Sequence, residues 1–98
     1  MLAEDVQIDF RGFEPSHDVR SRLDILLSQL HLKSPSRSFL SVTFTATNGI
    51  FEGVIKITSS AENFVVKATD KTINSLGHQL MDKVITQLDK WKSLRFEK

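Results

Sequence analysis

Apolar and polar residues alternate along "VQIDFR", with Val6, Ile8 and Phe10 on one side and Gln7, Asp9 and Arg11 on the other. A period of two sends successive side chains to opposite faces, so this stretch predicts a strand with one buried face. "GFEPS" interrupts the pattern, and Ser16 stands where a helix N-cap belongs. From His17 to about Leu32 the period lengthens, and Val19, Leu23, Leu26, Leu27 and Leu30 share one helical side. "KSPSRS" then ends that helix with proline and serine.

Alternation returns in "FLSVTFTATNGIFEGVIKIT" on both sides of Asn48-Gly49. Both residues of that pair tolerate positive φ, which makes it the strongest short signal for a tight hairpin. Leu40, Val42, Phe44 and Ala46 form one apolar face before the turn, and Phe51, Ile55 and Ile57 form another after it. Gly53 interrupts the second face and marks either a bulge or close packing. "SSAEN" predicts a second turn and "FVVKAT" a third consecutive strand, with Phe64, Val66 and Ala68 opposed to Lys67 and Thr69. Thr72 or Asp70 caps a closing helix, "TINSLGHQLMDKVITQLDKWK". In it Ile73, Leu76, Leu80, Val84, Leu88 and Trp91 fall in one stripe, filled out by Gly77 and Met81.

The order is β-α-β-β-β-α, an α+β fold. A helix between the first two strands requires a crossover, which predicts parallel pairing there, and the later strands form an antiparallel meander. Each helix has one apolar stripe and each strand one apolar face. The economical packing lays both helices on one face of a four-stranded mixed sheet, leaving threonine, serine, lysine and glutamate on the far side. Leu23, Leu27, Phe44, Ile55, Val66, Leu80, Val84 and Leu88 are the expected core. The 98 residues predict a single domain, residues 1–98.

Composition narrows the function classes. Hydrophobic residues at 40% and charged residues at 26% are ordinary for a globular chain. A net charge of +1 gives a sequence pI near 8.1, short of the pI above ~9 common in dedicated nucleic-acid binders. Any case for RNA therefore rests on where the charges sit. The chain has no cysteine, which removes disulfides and thiolate metal sites. No apolar run approaches the ~20 residues of a membrane helix, and "MLAEDVQ" is acidic with no signal-peptide core. A cytoplasmic protein that does not engage a membrane is expected.

Candidate chemistry is sparse. His17, His31 and His78 lie apart, without the HxH or HExxH spacing of a metal site. There is no Gly-x-Ser-x-Gly elbow. Asp24 lies four residues from Arg20, a routine helical pair, and Asp82 and Asp89 share the outermost face of the last helix. These patterns predict no enzyme, metal, cofactor or small-molecule substrate, unless "SLRFEK" adds a final strand and makes a small enzyme of ferredoxin-like topology. The basic residues are better organised. Lys83 and Lys90, seven apart, share one flank of the last helix with Gln79 and Thr86, about 10 Å along its axis. Lys92, Arg95 and Lys98 follow, and Arg20 and Arg22 decorate the first helix. This is either a solvated flank whose cations complement the helix C-terminus, or a ridge that tracks RNA phosphates by shape. Trp91 sits at a core angle and is not placed as a base-stacking platform.

With "VKATDKTINSLGHQLMDKVITQLDKWK" closing that element order, the chain resembles the short ribosome hibernation-promoting factor and ribosome-associated inhibitor family, formerly called sigma-54 modulation proteins. "DKVITQLDKWK" is similar to the family's last-helix pattern of Asp/Asn-Lys-Leu, Gln-Leu and Lys. "SHDVRSRL" looks like its Thr-Pro-Ala-Leu-Arg start of the first helix, with Ser16 as cap and Arg20 as the arginine. The chain departs at Thr86, where the family usually has arginine, and at Ile25, Leu26 and Gln29, where it has lysines. The resemblance implies a domain like those that bind double-stranded RNA. It also implies a non-catalytic translation inhibitor of the stress response, bound to the small ribosomal subunit and its rRNA where messenger and transfer RNA would otherwise lie. Lys83 and Lys90 would then contact phosphates, supported by Arg20, Arg22 and Lys92. The residues leave open a second reading, a protein-interaction module of the same fold that uses exposed Ile25 and the polar sheet face and does not bind ribosomes. One isoleucine falls far short of the ~800 Å² per partner of a stable interface, so a monomer in solution is expected.

Overall fold

Strand β1 spans Val6–Arg11, helix α1 His17–Lys33, β2 Phe39–Thr47, β3 Ile50–Thr58, β4 Phe64–Asp70 and helix α2 Ile73–Phe96. They come from a computed structural model that describes residues 5–34, 37–60 and 62–96. Pro35 and Ser36 of the predicted helix break, Ala61 of the second turn, and Lys98 lie outside the described residues. The order of elements is the one the periodicities predict. α2 is longer than its apolar stripe requires: no glycine or proline follows Lys92, and the helix runs on through "SLRF". That segment therefore adds no strand to the sheet.

The sheet order is β1-β2-β3-β4. β1 pairs parallel to β2, with Val6 opposite Leu40 and Phe10 opposite Phe44, while β2, β3 and β4 are antiparallel neighbours. Asn48 and Gly49 have φ of 53° and 78°. Positive φ at both centres is the type I′ geometry that matches strand twist, and it sets Thr47 opposite Ile50. Ser16 caps α1, its Oγ accepting the Val19 N–H at 3.2 Å. Thr72 caps α2 in the same way, accepting the Ser75 N–H at 3.2 Å. Asp70 instead accepts hydrogen bonds from the Lys71 N–H and the Gln79 amide.

One face of the sheet carries Leu40, Val42, Phe44, Ile55, Ile57, Phe64, Val66 and Ala68, all buried. They join Leu23, Leu27 and Leu30 of α1 and Leu76, Leu80, Val84 and Leu88 of α2 in a single core. Both helices therefore cover the same face, and all eight expected core residues are buried. The opposite face presents Ser41, Thr43, Thr45, Glu52, Lys56, Lys67 and Thr69, with Val54 and Val65 among them. Gly53 pairs with Phe44 in an unbroken register, so it is no bulge. A Cβ on Gly53 would stand 2.5 Å from Leu80 Cδ1, and its absence lets α2 settle closely onto β3.

Candidate nucleic-acid interface

β4 is an edge strand, and an edge leaves alternate backbone groups unpaired. The flank of α2 that the sequence marks as polar lies along this edge. Gln79 Nε2 donates to the Thr69 carbonyl at 3.3 Å and to Asp70 Oδ2 at 2.6 Å. One turn further on, Lys83 Nζ donates to the Lys67 carbonyl at 2.9 Å. Lys67 and Thr69 are two residues apart, so both carbonyls point out of the free edge. Part of the flank thus closes an exposed strand. An ammonium has three donors, so Lys83 keeps two for another acceptor.

Beyond Lys83 the flank opens into a groove. Its first part, about 520 Å³, lies between Val65 and Lys67 of β4 and Lys83, Thr86 and Gln87 of α2. Its second, about 430 Å³, is lined by Asn63, Phe64, Gln87, Lys90 and Trp91, so Gln87 joins the two. Trp91 meets the Phe64 ring edge to face at 6.0 Å, as expected of a residue packed on the core. Thr86, midway between the lysines, returns its hydroxyl to the Asp82 carbonyl at 2.8 Å. The groove is rimmed by Lys67, Lys83 and Lys90, with Glu62 and Asp82 as its carboxylates. Asp70 sits at the upper end of the flank. Its carboxyl is held below the ordinary range by the Gln79 amide first and the Lys71 N–H second.

Of the five predicted site residues, the fold brings Lys83 and Lys90 together. Lys92 follows Lys83 by nine residues, about 180° round the helix, and so belongs to the other side of α2. Arg20 lies over β1, its guanidinium carbon 5.5 Å from the Phe10 ring centre, and Phe10 stacks on Phe44 beneath it. β1 and β4 are opposite edges of the sheet, three strand spacings or roughly 14 Å apart. Arg22 lines a third place, the groove between the two helices. Lys67 is the basic residue that sequence reasoning missed. Alternation marks it as outward-facing, but only the strand order puts it beside Lys83. Among the described residues no group of three His, Cys, Asp or Glu could hold a metal ion, and no helix is long and apolar enough to cross a membrane.

No protein-family model matches the chain, and no curated protein does. Solved structures do. The chain is similar to the N-terminal domain of Protein Y from Thermus thermophilus, with a TM-score of 0.75 at 14% identity, covering 93% of this chain and 99% of that one. It is also similar to a ribosomal subunit interface protein from Coxiella burnetii, with a TM-score of 0.73 at 21% identity, covering 90% of this chain and 97% of that one. The four-stranded mixed sheet with its two helices is thus the fold of these domains across nearly their whole length.

Proposed function

We propose that the chain is a member of the ribosome hibernation-factor family that binds the small ribosomal subunit through rRNA. In this reading it inhibits translation by filling the channel that messenger and transfer RNA would use. The observation that carries the reading is the Lys83–Lys90 flank: two cations about 10 Å apart along a rigid helix, facing an open groove, with Lys67 beside them. Phosphates along one RNA strand can be followed by such a ridge without reading any base. The fold shared with a ribosomal subunit interface protein supports the choice of partner.

The spread of the other cations fits a plug better than a flat footprint. Arg20 and the lysine pair stand at opposite edges of the sheet, and a body enclosed in a channel meets RNA on several sides. No bond is made or broken in this mechanism. Occlusion needs only affinity and volume. The cytoplasm is where such a protein acts, as a monomer.

Co-sedimentation with washed ribosomes tests the proposal. The wild-type chain should pellet with the small subunit, and log affinity should fall with log salt by about 0.7 to 0.9 per neutralised phosphate, for roughly three to five phosphates. Pelleting that ignores added salt, or that is retained after Lys83→Glu and Lys90→Glu together, would refute it.

A further inference from the structure

Phe10 belongs to the apolar face of β1, but β1 is an edge strand, so no strand lies beyond it and the residue is only half-buried. What lies over its ring is a cation, with the Arg20 guanidinium carbon 5.5 Å from the ring centre. The ring itself is held firmly. It stacks on Phe44 at 5.7 Å and 16°, and Phe44 is part of the core. It meets Phe13 edge to face at 5.7 Å, and Phe13 meets Phe51 in the same way at 5.0 Å. Stacked and edge-to-face pairs are the favoured arrangements of aromatic rings, so the other three phenylalanines fix where the Phe10 face points.

Arg20 is anchored at its other end by the backbone. Its N–H donates to the Ser16 carbonyl at 2.9 Å, the hydrogen bond that opens α1. The loop before the helix is pinned as well. Gly12, at φ 82°, lies so close to β2 that a Cβ there would stand 2.5 Å from the Ala46 carbonyl oxygen. The Arg20 side chain therefore starts from a fixed turn and ends over a fixed ring. Asp24, one turn along α1, makes no ion pair with it, and no guanidinium N–H has a hydrogen-bond partner among the described residues. A ring face attracts a cation without taking up a donor. Lys83 differs, because it is held by giving one donor to the Lys67 carbonyl.

We propose that Phe10 is a positioning residue for RNA binding: its ring holds the Arg20 guanidinium over the β1 edge with the whole fork of donors free to meet a backbone phosphate. The inference rests on the ribosomal reading and adds a second, pre-set contact on the edge of the sheet opposite the Lys83–Lys90 ridge. A long side chain loses rotamers when it is ordered on binding, and a planar fork already in place loses fewer. Lysine would serve less well here, since an ammonium has no plane to lay on a ring and no fork to match a phosphate.

The test is a double-mutant cycle read by co-sedimentation with washed ribosomes. Arg20→Ala should lower small-subunit affinity about tenfold or more. Phe10→Leu, which keeps an apolar side chain on the core, should lower it about two- to fivefold, and should have no further effect once Arg20 is alanine. Arg20→Lys, which keeps the charge, should weaken binding about as much as Phe10→Leu. In the free isotope-labelled chain, the Arg20 side-chain protons should resonate upfield of their usual positions through the ring current, and should return to them in Phe10→Leu. Three results would overturn the proposal: Arg20→Ala binding like the wild type, a Phe10→Leu loss undiminished in the Arg20→Ala background, or Arg20 protons at ordinary positions in the wild type. If Phe10→Leu fails to fold, Arg20→Lys binding as tightly as the wild type overturns it instead. A wild-type chain that does not pellet refutes the ribosomal reading and this inference with it. Where the wild type pellets with the expected salt dependence, any of the contrary results removes this inference alone.

Discussion

The two flanks of α2 begin from the same apolar stripe and end as different surfaces. On the β4 side, Gln79 and Lys83 reach across to the strand's free carbonyls, and the groove beyond them is rimmed by Lys67, Lys83 and Lys90. On the α1 side, the neighbour is a helix whose backbone is already paired within itself. That flank has no strand edge to close, and what lies between the helices is a largely apolar groove with Gly77 among its lining residues. The difference comes from the neighbour rather than from α2: an edge strand calls for polar side chains, a second helix for apolar ones.

The largest expected effect would break both flanks together. Leu80 is buried between them, over Gly53 of β3, and Leu80→Ala should cost about 2–5 kcal/mol in a urea unfolding curve. A cost below about 1 kcal/mol would mean that α2 is not seated on the sheet as described. Next is the double reversal Lys83→Glu with Lys90→Glu. Removing two charge-assisted hydrogen bonds to phosphate should lower small-subunit affinity about 100-fold or more. The thermal midpoint should move little, since both residues lie outside the core stripe and only Lys83 gives up an internal hydrogen bond, worth about 1 kcal/mol. If the midpoint collapses instead, the β4 flank is structural and the comparison fails.

How much of this contrast was legible in the sequence depends on what each feature requires. The 3.6-residue and two-residue periods were enough for the element order, the burial of one sheet face and the Asn48-Gly49 turn, because each is decided within a few residues. Lys83 and Lys90 could be placed on one flank for the same reason. Which neighbour that flank would meet could not be read, because it depends on β4 being the edge strand and on α2 lying over β3 and β4. Hence the edge-closing role of Gln79 and Lys83, and the presence of Lys67 beside them, were hidden. Gly77 passed as filler in the apolar stripe for a related reason. What a missing Cβ leaves room for can be read only when the residues opposite it, here Leu23 and Leu26, are known.

A smaller effect sharpens the α1 side. Gly77→Ala should raise stability by up to about 1 kcal/mol, since alanine suits a helix interior and its Cβ meets its neighbours at ordinary distances. Ribosome co-sedimentation should be unchanged. Destabilisation by more than about 1 kcal/mol would show that the helices are too close there to admit a methyl group.

The smallest effect belongs to Asp70, at the upper end of the β4 flank. Its carboxyl titrates below the ordinary 3.8, with the Gln79 hydrogen bond as the main cause. A depressed folded-state pKa contributes stability at pH above the unfolded-state value, and that contribution is lost as pH falls through the folded-state one. Urea midpoints at about pH 6 and about pH 2.5 should therefore differ slightly less in Asp70→Asn than in the wild type. An equal or larger difference would remove Gln79–Asp70 as a working contact of this flank.

The central claim, that of the two flanks of α2 it is the β4 flank that meets RNA, is open to a direct comparison of positions. A photo-crosslinking side chain is placed at Thr86, between Lys83 and Lys90, or at His78 on the α1 side, both exposed on α2. Each protein is irradiated with washed ribosomes, and the cross-linked partner is identified. Position 86 should label small-subunit rRNA, and position 78 should label it far less or not at all. Labelling of rRNA from position 78 but not from 86, or of no RNA from either, would contradict the account.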